Sequence, residues 1–157
     1  MLKKIILWGG FLAMFLSFLG GCRSVPVTEI RTFRFSVTEN MSMYGQTVYE
    51  LEVKDDGTGV ITVKPCDVPD EEAVTVPVEA DFVRSLEAML RENGVGGWNG
   101  FDRVDKRVLD GRSFSLSVTM AGGKSISAHG YMKWPKNYRE VRAALDEMFT
   151  QAASSAE

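Results

Sequence analysis

The sequence predicts an α+β fold: a two-layer sandwich in which one mostly antiparallel sheet of about five to six strands carries two helices on one face. Two hairpin patterns and two amphipathic stripes carry this expectation. Residues 47–64 and 111–132 alternate apolar and polar side chains around turns that end in glycine. Residues 79–93 and 137–150 repeat apolar side chains at spacings of three and four. The first pattern has the two-residue period of a half-buried strand, the second the 3.6-residue period of a helix.

Arg31 to Thr38 opens the domain as a strand, with Phe33, Phe35 and Val37 on one side. The first hairpin folds around Asp55-Asp56-Gly57. Directly opposed residues share a face, so Tyr49, Leu51 and Val53 should pair with Val63, Ile61 and Gly59. That register leaves a three-residue loop whose last residue is left-handed, a position glycine fills. Residues 73–78 place Val74, Val76 and Val78 on one side, and Pro77 confines them to an edge or an end of the sheet. The 79–93 helix shows Phe82, Val83, Leu86, Met89 and Leu90 as its stripe, and Asn93-Gly94 stops it.

Residues 94–110 read as a long irregular loop with Trp98 and Phe101 inside a glycine-rich run. The second hairpin matches Ser115 with His129 and Ser117 with Ser127 across the turn Ala121-Gly122-Gly123. Ile126, Ala128 and Gly130 then face the core, leaving a face of hydroxyls and His129 outside. Lys133-Trp134-Pro135 breaks the strand. Asn137 is placed to cap the last helix, with Glu140 completing a capping box. Tyr138, Val141, Leu145, Met148 and Phe149 form that helix's stripe, and residues 151–157 read as a frayed tail.

The first residues belong to no part of this domain. Lys3 and Lys4 precede an apolar run from Ile5 to Leu19, and Leu19-Gly20-Gly21-Cys22 follows. A basic start, an apolar stretch and a small-residue cleavage site make an export signal. Its ending resembles the bacterial lipobox of lipoproteins. The resemblance implies lipid on the Cys22 thiol, cleavage before Cys22, and a bacterial cell-envelope location. Arg23 follows where Asp commonly marks retention in the inner membrane, so the outer membrane is implied if the cell has one. The organisation expected is a cleaved signal (1–21), a lipidated cysteine with a short tether (22–30), one α+β domain (31–150) and the tail.

The formal charge is −3, and removal of Lys3 and Lys4 takes it to −5. That balance argues against nucleic acid and against electrostatic docking on anionic lipid. With Cys22 lipidated, Cys66 is left as a buried inert thiol or an intermolecular bridge. No cofactor or metal is expected. The glycines of 94–100 follow a helix end, where the dipole repels phosphate, and no Gly-Lys-Ser/Thr follows. Asp67, Asp70, Glu71 and Glu72 lack the ligand spacing of a calcium loop. Met41 and Met43 are too few to make a copper site.

Ser115 facing His129, the one histidine of the chain, invites a nucleophile-and-base reading. It lies mid-strand with no nucleophile elbow, and the sequence offers no evident carboxylate to orient His129. The leading expectation is a non-catalytic, lipid-anchored module that binds a protein or envelope polymer, with Trp98, Phe101 and Trp134 as first contacts and His129 and Ser115 as further ones. The alternatives are an envelope hydrolase using Ser115 and His129, and a purely structural envelope component.

Overall fold

A computed structural model describes residues 24–39 and 45–155. Cys22, Arg23, Met41 and Met43 lie outside these residues. The described residues form seven strands and two α-helices: β1 (Ile30–Thr38), β2 (Gln46–Val53), β3 (Gly59–Lys64), β4 (Val74–Val78), α1 (Ala80–Glu92), β5 (Phe101–Val104), β6 (Ser113–Met120), β7 (Ser125–Tyr131) and α2 (Tyr138–Ser154). One sheet has the order β4-β3-β2-β1-β6-β7-β5. It is antiparallel throughout except at the β5–β7 edge. The α+β sandwich is therefore the observed fold.

Both hairpin registers follow from face matching. Tyr49 pairs with Val63, Leu51 with Ile61 and Val53 with Gly59. Ser115 pairs with His129 and Ser117 with Ser127. The Lys54 N–H donates to the Thr58 carbonyl at 2.8 Å and closes the three-residue loop. Gly57 takes φ +84° there, a conformation that side-chain-bearing residues resist.

The core lies between one sheet face and the helices. Phe33, Phe35, Leu51, Ile61, Phe114 and Leu116 supply the sheet side. Val83, Leu86 and Leu90 of α1 meet them, as do Val141, Leu145 and Phe149 of α2. Phe82 and Met89 are only partly buried at the margin. Among the described residues no helix packs on the opposite sheet face. It is polar, with Ser117, Ser127 and His129 exposed. Ser36 and Lys64 on that face are nevertheless buried; Lys64 pairs with Asp70 at 2.6 Å.

Four features depart from the sequence reading. Residues 94–110 are not one loop: a 3-10 turn spans Val95–Trp98 and β5 follows it. β5 escapes pattern recognition because Phe101 is its one core residue, so no alternation develops. The capping box is absent. Asn137 adopts φ +61° and makes no side-chain cap; its Nδ2 donates instead to the Asn93 carbonyl at 3.2 Å. The tail is shorter than expected, because α2 runs on to Ser154. Cys66 is half-buried rather than sealed in the core.

Phe114 is the hub of the packing, within 6.3 Å (ring centre to ring centre) of Phe35, Trp98, Phe101, Trp134 and Tyr138. Phe114→Ala should cost about 3–5 kcal/mol of stability, measured by chemical denaturation.

Candidate functional site

Three surfaces carry the residues singled out from the sequence: the open sheet face, a cleft beside α2, and the entry of the N-terminal segment. Each is fixed by a different part of the fold.

On the open face, β1, β6, β7 and β5 align a row of polar residues. Ser36 opposes Ser115, Ser115 opposes His129, and Asp102 sits beside His129. The hydrogen bonds run away from the centre of this row. Ser115 Oγ and Ser36 Oγ are 2.8 Å apart, and His129 Nδ1 lies 3.2 Å from Asp102 Oδ1. Asp102 is the carboxylate partner that sequence reasoning did not find. It could not, because β5 joins β7 by a parallel pairing that no local pattern announces. Among the described residues no hydrogen bond joins Ser115 to His129. Elsewhere on this face a shallow concavity of about 380 Å³ is lined by Thr32, Arg34, Glu50, Glu52, Val60 and Thr62, among others.

The cleft lies where the β7–α2 connection meets the first turns of α2. Its volume is about 290 Å³, and Arg112, Trp134, Tyr138, Arg139, Arg142 and Asp146 line it. Glu39 bridges two of the arginines, at 2.5 Å from Arg142 and 3.1 Å from Arg112. Asp146 accepts the Tyr49 hydroxyl at 2.9 Å; burial, followed by this carboxylate, pushes the Tyr49 phenol well above its ordinary pKa. Tyr138 stacks on Trp134 at 4.5 Å and 24°. Its hydroxyl is buried without a well-formed hydrogen bond among the described residues. Burial raises its pKa to about 12, with the Arg142 guanidinium opposing the shift. The phenol is thus neutral at physiological pH.

Two loops are stitched together at the rim of this cleft. The Met132 N–H donates to the Arg112 carbonyl at 2.9 Å, and the Asp105 N–H to the Tyr131 carbonyl at 3.0 Å. The Tyr131 hydroxyl donates to the Leu109 carbonyl at 2.9 Å. Asp105 receives Arg107 at 2.8 Å and Lys133 at 3.4 Å. The Arg107 hydrogen bonds, foremost, hold its carboxyl well below the usual carboxylate range.

The N-terminal segment is part of the domain and not a free tether. The Val25 N–H donates to the Gly96 carbonyl at 3.0 Å. Val27 and Ile30 are buried, and the Ile30 N–H is held by Glu87 Oε1 at 2.7 Å. At Gly96 the backbones approach so closely that a Cβ would stand 2.1 Å from the Val25 carbonyl oxygen. The sequence signal for this docking was the spacing of Val25, Val27 and Ile30, too short to stand out.

Searches against protein families and curated proteins return no match to this chain. Its function therefore rests on its own residues. Among those described, no cluster of His, Cys, Asp or Glu is placed to hold a metal ion. No helix of the described residues is long and apolar enough to cross a membrane.

The five contact residues expected from sequence fall into two groups. Trp98, Phe101 and Trp134 converge on Phe114. Trp98 is a correction: it is only 3% exposed, and its indole N–H donates to the Lys136 carbonyl at 3.0 Å. It supports the surface and cannot be a contact on it. Phe101 is partly buried, and Trp134 alone of the three shows a substantial face to solvent, 37%. Ser115 and His129 form the second group, on the open sheet face.

Gly96→Ala should expel the N-terminal segment, because the new methyl group occupies the place of the Val25 carbonyl. The expected outcome is loss of Val25 amide protection in hydrogen exchange and about 1–3 kcal/mol of stability.

Proposed function

We propose that this chain is a lipid-anchored protein of the bacterial cell envelope, working as a non-catalytic binding module whose partner is a protein or an envelope polymer. One observation supports it above the others. Val25 is already fastened to the domain, three residues after the cysteine that ends the lipobox-like sequence. Three residues span at most about 11 Å. A lipid on Cys22 would therefore hold the folded domain against the bilayer, and two or more acyl chains suffice for stable anchoring. An outer-membrane position, if the cell has that membrane, belongs to the same reading through Arg23.

The uncovered sheet face is where such a module would present itself. It is wide, and its hydrogen-bonding groups reach solvent through Arg34, Glu50, Ser117, Ser127 and His129. A second reading, an envelope hydrolase, draws on the Asp102–His129 pair. It needs His129 to take a proton from Ser115, whose hydroxyl is shared with Ser36. Labelling of Ser115 by a fluorophosphonate probe would favour that reading over binding.

Replacing Cys22 by Ser should abolish incorporation of a palmitate analogue and leave an unprocessed precursor. Normal incorporation in that variant overturns the anchor. In cells, a photo-crosslinker at Ser127 on the open face should capture a partner, and one at Glu147 on α2 should not; the reverse pattern would move the binding surface to the helices.

A further inference from the structure

We propose that the end of the domain formed by the β5–β6 loop and the β7–α2 connection is a second, electrostatic and apolar docking surface for an anionic lipid bilayer. The proposal rests on the lipid-anchor reading above, and gives the anchored domain one orientation.

Charge is the first ground. Residues 101–112 and 132–141 contain seven lysines and arginines against Asp102, Asp105, Asp110 and Glu140, a local balance of +3. The whole chain carries −3, so the remainder stands at −6. The net charge of the chain, which argues against docking on anionic lipid, averages over this asymmetry. The two segments are one surface because the Met132–Arg112, Asp105–Tyr131 and Tyr131–Leu109 hydrogen bonds join them. Two of the acids are occupied within it or turned from it. Asp105 is held by Arg107 and Lys133, and Asp102 faces His129 on the open sheet face. Lys106, Lys136 and Arg139 are exposed.

Apolar exposure is the second ground. The exposed large hydrophobics of the described residues are Val74, Val104, Leu109 and Trp134. Three of the four lie on this end. Leu109 is 93% exposed in the segment between β5 and β6, with Lys106, Arg107 and Asp110 nearby in sequence. Folding within the domain gives no return for a leucine placed there; insertion among acyl chains does. Trp134 presents an amphipathic ring of the kind enriched at membrane–water interfaces. Basic side chains around an exposed Trp and Leu are the composition by which peripheral surfaces bind anionic leaflets.

The third ground is where the chain leaves the domain. Val25 is bonded to Gly96, and Trp98, two residues further on, donates its indole N–H to the Lys136 carbonyl. Val25 is thus tied, through Gly96 and Trp98, to the β7–α2 connection. An acyl chain on Cys22 and the side chains of Trp134, Lys136 and Arg139 would then meet the same bilayer. In this arrangement Trp134 contacts lipid and not a protein partner, while the open sheet face stays clear of that contact.

The full-length protein, produced in its processed form, tests this in two kinds of vesicle: phosphatidylcholine alone, and equal parts phosphatidylcholine and phosphatidylglycerol. Both carry acyl chains brominated to quench tryptophan. Flotation with the neutral vesicles reports the lipid anchor. Quenching reports docking. Trp98 is buried, and Trp134→Phe isolates its emission and shows that the variant is folded. The expected result is flotation with both vesicles and loss of most Trp134 emission in the anionic ones alone, reversed by high salt and by Lys136→Glu with Arg139→Glu. Flotation with both and an unquenched Trp134 overturns the docking surface and leaves the anchor standing. Flotation with the anionic vesicles alone, with Trp134 quenched, supports docking and removes the anchor. Flotation with neither overturns both. A crosslink in cells from Lys136 to an acidic protein, with no quenching, would make this end a protein interface and overturn the proposal.

Discussion

The backbone contact between Val25 and Gly96 is the constraint on which the rest of this structure depends. It admits only glycine at position 96, because a side chain there would collide with the Val25 carbonyl. Through it the segment at Val25 is fastened to the turn that follows α1. That turn carries Trp98 into the core, and Trp98 in turn holds Lys136 by its carbonyl. Two hydrogen bonds therefore couple the N-terminal segment to the point where α2 begins. If Cys22 bears lipid, the same contact holds the domain close to the membrane, since only two residues intervene.

The aromatic cluster around Phe114 explains why this end of the domain can be both rigid and exposed. Trp98, Tyr138 and Phe114 form a buried base, and Trp134 stacks on Tyr138 above it. Such stacking adds about 0.5–1.5 kcal/mol beyond the burial of area. Met132 and Asn137 take left-handed backbone conformations on either side of Trp134. Neither is glycine, and left-handed single residues cost of order 1–3 kcal/mol. The stacking, with the Met132–Arg112 and Asn137–Asn93 hydrogen bonds, offsets that cost and fixes the indole at the surface.

Much of the fold was legible because two periodicities and two turns are written locally. Both hairpin registers follow from asking which side chains must share a face, and both glycine-ended turns agree with the answer. What escaped was non-local. β5 has one core residue, and its parallel partner lies 27 residues along the chain, Asp102 beside His129. Asn137 has the residue type of a cap, but its left-handed backbone turns the amide toward α1. Trp98 and Trp134 look alike in sequence; their opposite fates are decided by the Lys136 carbonyl, which only the folded chain brings within reach. Net charge hid the basic end for the same reason, since the residues that form it are two segments separated by a hairpin. The Ser115–His129 opposition was legible, whereas the partners each residue takes, Ser36 and Asp102, depended on the order of the strands.

The central claim is that the domain lies on the bilayer through the end beside its N-terminal entry. Amide hydrogen exchange of the processed protein in anionic vesicles measures this directly. The account predicts slowed exchange at residues 106–111 and 133–137 relative to detergent, with the β3–β4 loop at residues 65–73, on the far side of the sheet, unchanged. Equal exchange at both ends, or slowing at residues 65–73 instead, would contradict it.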